Sequence, residues 1–178
     1  MNPRAAALRQ ACRAALCAVL LWTSAAACGA ELKSIAILDF ELVDDQHELA
    51  PATQEYERLP VIREQLQQAF TAHGLYRVID TSPAQALIAQ SLSRSALRDC
   101  NGCELDIAQA LQADRVLIGW VQKVSNLILN INIQIEDAAT GAVLLNKSVD
   151  LRGNTDESWR RGVTALVTSM VEKNQGNR

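Results

Sequence analysis

From Asn126 to Glu136 the chain alternates between aliphatic and polar side chains. Leu127, Leu129, Ile131, Ile133 and Ile135 fall at one parity; Asn126, Asn130, Asn132, Gln134 and Glu136 fall at the other, and only Ile128 breaks the phase. A period of two sustained over this length specifies a strand with one buried and one wet face. Such a strand needs neighbours to pair with and a hydrophobic layer on one side. Both are written beside it. Asp137 to Gly141 carries turn chemistry and Ala142 to Leu151 returns as the second strand of a hairpin, while Val116 to Val121 is nearly continuously apolar, as expected for a central strand covered on both faces.

The remaining segments alternate strand and helix. Ser34 to Glu41, ending near Asp39, reads as a buried strand, and Leu42 to Pro60 reads as a long polar loop. Leu59, Ile62, Leu66, Ala69 and His73 share one helical stripe that Gly74 is placed to end. Tyr76 to Ile79 is a second short strand, and Ser82, as N-cap before Pro83, opens another helix with Gln85 reaching back. Leu105, Ala108 and Leu111 mark a third helix. A last one is predicted after Asn154, with Glu157 in its first turn and a stripe of Val163, Leu166, Val167 and Met170. The expected order is β-α-β-α-α-β-β-β-α, an α/β chain with a mixed sheet, and no internal repeat or low-complexity linker divides it.

The first thirty residues are of a different kind. Arg4, Arg9 and Arg13 precede any acidic residue, Ala14 to Trp22 is a short apolar run, and Thr23 to Ala30 is rich in small residues. That sequence of charge, apolar core and small residues is a signal peptide, too short in its apolar part to span a bilayer. Residues 1–30 are thus expected to be removed and residues 31–178 to form one extracytoplasmic domain in the periplasm. Ala25-Ala26-Ala27 offers a small-x-small cleavage site before Cys28, and Cys28-Gly29-Ala30 another before Glu31; both compete with a lipobox reading of Ala25-Ala26-Ala27-Cys28, in which Cys28 becomes a lipid anchor, although the leucine usual at the start of that box is Ala25 here. Without the three leader arginines, the 17 basic residues fall to 14 against 20 acidic ones, a net charge of −6. A domain this acidic lacks the basic face that nucleic-acid binding needs. Cys12, Cys17 and Cys28 lie in or beside the leader, leaving Cys100 and Cys103, a pair close enough to form a disulfide in an oxidising compartment.

The segments "SIAILDFE", "LYRVID", "IAQALQADRVLIGWVQ" and "IEDAATGAVL" resemble the N-terminal domain of TolB and the related α/β domains of CsgG-like and LpoB-like envelope proteins. "DCNGCELDIAQAL", "GWVQKVSNLILNINI" and "RGNTDESWRRG" are similar to an uncharacterised family of predicted secreted proteobacterial proteins. The resemblance covers nearly all of residues 31–178. It implies the fold and an envelope location, and it contributes no reaction, because fold alone does not fix function.

Candidate functional residues fall into four groups. Cys100-Asn101-Gly102-Cys103 reads either as a structural staple or as a thiol-disulfide centre, with Asn101 capping the following helix and Cys103 in its first turn, where the helix end favours the thiolate. The stripe of Asn126, Asn130, Asn132 and Gln134 is a candidate recognition surface: amides both donate and accept, which suits peptide backbone or sugar hydroxyls, and Asn is depleted in strands. Its plain alternative is a solvated sheet face. Arg152, Asp156, Trp159 and Arg160 supply interface-type residues beside the capping residues Asn154 and Asp156. Asp44, Asp45 and Glu48 lack the spacing of a calcium loop, and with only His47 and His73 beside the cysteine pair no zinc site is expected. Trp120 is expected in the core or at a sheet edge. No nucleophile-base pair and no phosphate-binding glycine loop is present. The expectation is therefore a non-enzymatic, cofactor-free envelope module that binds a protein partner, with a thiol-disulfide oxidoreductase or a lipid-anchored assembly factor as alternatives.

Overall fold

The structure, a computed structural model, describes residues 31–44 and 53–176. Residues 1–30, expected as a signal peptide and including Cys28, and Asp45, His47 and Glu48 lie outside the described residues. The described residues from Leu32 onward form one compact unit. Its elements run β1 (Ser34–Ile37), β2 (Glu41–Asp44), α1 (Thr53–Ala72), β3 (Arg77–Ile79), α2 (Gln85–Leu92), α3 (Cys103–Ala110), β4 (Arg115–Lys123), β5 (Ile128–Asp137), β6 (Val143–Arg152) and α4 (Asp156–Gly176), with short 3-10 turns at Ser82–Ala84 and Leu97–Asp99.

The sheet is ordered β3-β1-β4-β5-β6, parallel from β3 to β4 and antiparallel from β4 to β6, and β2 continues beside β4. β1 therefore has β3 on one side and β4 on the other. Right-handed crossovers in the two directions put α1 on one face and α2 with α3 on the opposite face. Two hydrophobic layers follow. Ile35, Ile37, Leu117, Val121, Leu129, Ile131, Ile133 and Ile135 meet Leu59, Ile62, Leu66 and Phe70 of α1 and Trp159, Val163, Leu166 and Val167 of α4. On the other face Ala36, Leu38, Val116 and Ile118 meet Ile88, Leu97, Ile107 and Ala108.

Several expectations are corrected. Leu42 to Pro60 is not one loop: β2 pairs Glu41–Asp44 with Trp120–Lys123, and α1 already begins at Thr53 with Pro60 inside it. Pro60 lies on the exposed side of α1, as does Tyr56, whose carbonyl loses its ladder partner, so water can replace the missing bond. Between the paired stretches Ile35–Ile37 and Glu41–Asp44, three residues of the first strand span two of β4, Ile118 and Gly119. This one-residue excess reverses the alternation. Phe40, not Asp39, then faces the α1 side, where a Cβ on Gly119 would come within 2.5 Å of its ring; only glycine leaves room for it. Asp39 turns out to solvent and pairs with Arg63.

Local caps differ too. The buried stripe of α1 ends on Phe70, and His73 is exposed. Ser82 caps nothing; its amide and hydroxyl donate to Asp80 Oδ1 at 3.0 and 2.7 Å. Thr155 and Ser158 close a reciprocal box at the start of α4, with the Ser158 amide donating to Thr155 Oγ1 and the Thr155 amide to Ser158 Oγ. Asn154, expected as a cap, points elsewhere.

Two motif aspartates have clear structural work. Asp114 accepts the Ser34 amide and hydroxyl, both at 2.8 Å, and Lys33 Nζ at 3.0 Å, tying the start of β1 to β4; these bonds hold its carboxyl far below the usual range. Asp137 accepts the Ala139 and Thr140 amides in the β5–β6 turn, where Gly141 takes a φ of 69°.

Candidate functional site

The layer under α2 and α3 ends at Ile118 and Ala138. Beyond it, among the described residues, no helix covers that face of β4, β5 and β6. The cross-strand registers place Glu41 beside Trp120 beside Asn132 beside Ser148, and Val43 beside Gln122 beside Asn130 beside Asp150, with Gln134 and Asn146 in the next row. The face is polar, except for Trp120 and Val43. That tryptophan is half-buried on a central strand, neither in the core nor at an edge.

Asn130, Asn132 and Gln134 come together here as half-buried amides. Asn132 Nδ2 donates to Asn130 Oδ1 at 2.6 Å, Gln134 donates to Glu136, and Asn146 Nδ2 reaches Gln134 Oε1 at 3.4 Å. The ladder orients the amides and leaves a row of donors and acceptors along the face. At its edge lies a depression of about 340 Å³ lined by Trp120, Gln122, Gln134, Ile118, Val43, Arg98 and Asp99. Its wall is the Leu97–Asp99 turn, held by the Leu97 amide donating to Glu41 Oε1 at 2.6 Å and Arg98 Nη1 to Glu41 Oε2 at 2.9 Å. Asn126 is exposed but lies in the β4–β5 turn with Leu127, off the strand, so it does not belong to the ladder. Arg152 closes the row at the end of β6, opposite Ile128, and is exposed.

Cys100 and Cys103 adjoin the same wall. Their Cα atoms are 5.7 Å apart and their sulfurs face each other, a separation a disulfide spans. Gly102, at a φ of 99°, is the helix N-cap and makes no side-chain bond; Asn101 is exposed and does not cap α3. Cys103 is buried in the first turn, and Cys100 is half-buried. Next to them Glu104 is buried, and its Oε2 has no hydrogen-bond partner. Burial pushes its carboxyl up, and the charge of Glu136 adds to the shift, against hydrogen bonds from the α3 amides.

Beyond Arg152, the segment from Asn154 to Arg161 does not form part of this face. Trp159 is 1% exposed and sits in the α1–α4 core, its indole N–H donating to Asn154 Oδ1 at 3.0 Å. A large aromatic was absorbed by the core once its one polar atom found a partner, which removes Trp159 from any interface. Asn154 belongs to a buried network that the sequence reading missed. Lys123, 2% exposed, donates to Glu55 Oε1 at 3.0 Å and lies 3.6 Å from Asp44. Asn154 Nδ2 donates to Glu55 at 2.7 Å, and Arg58 Nη1 donates to Asn154 at 3.1 Å. Burial opposes the charge on Glu55, but the bonds from Lys123, its own backbone amide and Asn154 prevail and hold its carboxyl below the ordinary value. Asp156 is exposed and bound by Arg58 Nε at 2.6 Å, and it lines a groove of about 350 Å³ between α1 and α4 with the exposed Arg160. That groove lies on the helix-covered side of the sheet, away from the amide face.

No helix of the described residues is long and apolar enough to cross a membrane, and among them no cluster of three or more His, Cys, Asp or Glu could hold a metal ion. The molecule is thus a mixed α/β domain with one side of its sheet partly open. The chain belongs to the family described as "Protein of unknown function (DUF2380)", DUF3280, whose pattern matches residues 33–171. No curated protein matches it. Among solved structures it is similar to lipoprotein GNA1162 from Neisseria meningitidis, at 16% identity and a TM-score of 0.48, covering 82% of this chain and 97% of that one. It is also similar to the LpoB C-terminal domain from Salmonella enterica, at 15% identity and a TM-score of 0.46 over 70% and 86% of the two chains. The PelC dodecamer from Paraburkholderia phytofirmans shares 12% identity at a TM-score of 0.45 over 78% and 85%.

Proposed function

We propose that this chain is a non-enzymatic accessory module of the bacterial cell envelope that binds a protein partner through the open face of its sheet. The observation that carries the reading is the amide ladder of Asn130, Asn132 and Gln134 beside Trp120, on a face no helix of the described residues covers. Oriented amides pair with peptide groups, and a half-buried tryptophan supplies the apolar anchor that interfaces concentrate around. The test is capture of cross-linked envelope partners on the tagged full-length chain. Changing Trp120 and Asn132 together to alanine lowers recovery of a specific partner about tenfold, the effect of losing roughly 1.4 kcal/mol of binding. Undiminished recovery of every partner sinks the assignment.

The envelope location rests on the leader. Intact mass of the purified protein reads it: a chain beginning at Glu31, or one beginning at an acylated Cys28, supports export, and an unprocessed chain recovered from the cytoplasm contradicts it. Cys100 and Cys103 are read as a disulfide that staples the Leu97–Asp99 wall to α3. Burial of Cys103 favours this over a redox centre, which needs an accessible thiolate. Turnover in an insulin-reduction assay would reverse that preference.

A further inference from the structure

Of the asparagines in the chain, only Asn101 precedes a glycine. The Asn101-Gly102 pair lies in the bend between the Leu97–Asp99 turn and α3, outside every helix and strand. Asn101 is exposed, and its side chain makes no hydrogen bond to the described residues. Asn130 and Asn132 are instead held in the β5 ladder and precede isoleucines, while Asn154 is held by Glu55, Arg58 and Trp159 and precedes Thr155. The difference matters because the backbone nitrogen of the following residue can attack an asparagine's Cγ. A Cβ on that residue crowds the attack, and glycine has none. Gly102 is open besides: at its φ of 99°, a Cβ built on it would meet nothing within 4 Å. Its amide donates to the Cys100 carbonyl at 2.9 Å, a bond within a surface bend that opens at little cost.

We propose that Asn101 is a self-modification site, converting without an enzyme to isoaspartate and aspartate through a cyclic imide with Gly102. The Gly102 nitrogen loses its proton and bonds to Asn101 Cγ; the side-chain nitrogen takes up a proton and leaves as ammonia. Water then opens the ring at either carbonyl, and nothing is oxidised or reduced. Opening at the main-chain carbonyl routes the backbone through Cγ and gives isoaspartate. Opening at Cγ keeps the ordinary backbone and gives aspartate. Either product places a new carboxylate ahead of the first turn of α3, which already holds the buried Glu104. The isoaspartyl form also lengthens the main chain by one methylene between Cys100 and Cys103, inside the ring their disulfide closes. That segment joins the Leu97–Asp99 wall to α3, so the change falls on the joint of the wall. The inference does not depend on the reading of the amide face.

The test ages the purified, folded full-length chain at mildly alkaline pH and body temperature. Digestion in acid, where the reaction stalls, is followed by peptide mass mapping and by methyl transfer from an isoaspartyl methyltransferase. The peptide containing Asn101 should gain the mass of an amide turned acid, split into two chromatographic species and take the methyl label. Conversion should quicken as pH rises, because the Gly102 amide must lose its proton. Peptides carrying Asn130, Asn132 and Asn154 should stay unchanged over the same time. Asn101→Gln, a change at an exposed side chain, should abolish both the mass gain and the label. An Asn101 peptide left unmodified in the folded chain overturns the proposal, whether or not a denatured chain converts. So does conversion to aspartate alone with no label, which is direct hydrolysis, or a label that persists in Asn101→Gln.

Discussion

The two sides of β5 make the sharpest contrast in the molecule. Ile131, Ile133 and Ile135 are completely buried beneath α1 and α4, while Asn130, Asn132 and Gln134, one residue away in each case, face a side that no helix of the described residues covers. The same backbone thus carries two kinds of selection. On one side, packing and the Lys123–Glu55–Asn154 network determine stability. On the other, nothing in the fold requires amides, and their chemistry is left for recognition. Stability and binding should separate cleanly between the two.

The largest effect is expected at the charged edge of the covered side. Lys123→Met leaves Glu55 and Asp44 without their buried cation and should destabilise by about 3–5 kcal/mol in denaturant unfolding. Ile133→Ala should cost about 2–5 kcal/mol, as a cavity opened between β5 and the helices. Glu104→Gln moves the other way. Burial raises the folded-state carboxyl above its ordinary value of 4.5, so the unfolded chain ionises first and stability falls as pH rises through the folded-state value. The substitution removes that loss: a gain in stability at neutral pH, vanishing below the unfolded-state value, should appear in thermal melts across pH. Asn132→Ala should change stability by less than about 0.5 kcal/mol while reducing partner recovery. A large stability loss at Asn132 would erase the contrast between the two sides.

Much of this contrast was legible in the residues. The period-two run around Ile131 and Ile133 defined the strand and its buried face, and the Asp137–Gly141 turn defined its hairpin. The limits were tertiary. The extra residue between Ile37 and Glu41 hides β2, because a bulge reverses the alternation that periodicity relies on. Pro60 suggested a helix boundary, yet on an exposed side it costs α1 only one ladder bond. Trp159 beside two arginines looked like an interface anchor, and only its long-range neighbours reveal it as core. The Asn154–Glu55 bond joins positions 99 residues apart, beyond any local pattern. Trp120 could have been read more closely: its even parity with Ile118 and Gln122 on β4 puts it in register with Asn132, on the amide side.

The most direct test compares the two sides in the living cell. A photo-crosslinking residue is placed at Asn132, on the open face, or at Ala165, exposed on α4. The account predicts a discrete adduct with an envelope protein from position 132, lost when Trp120 is changed to alanine, and none from position 165. No adduct from 132, or the same adduct from both positions, would contradict it.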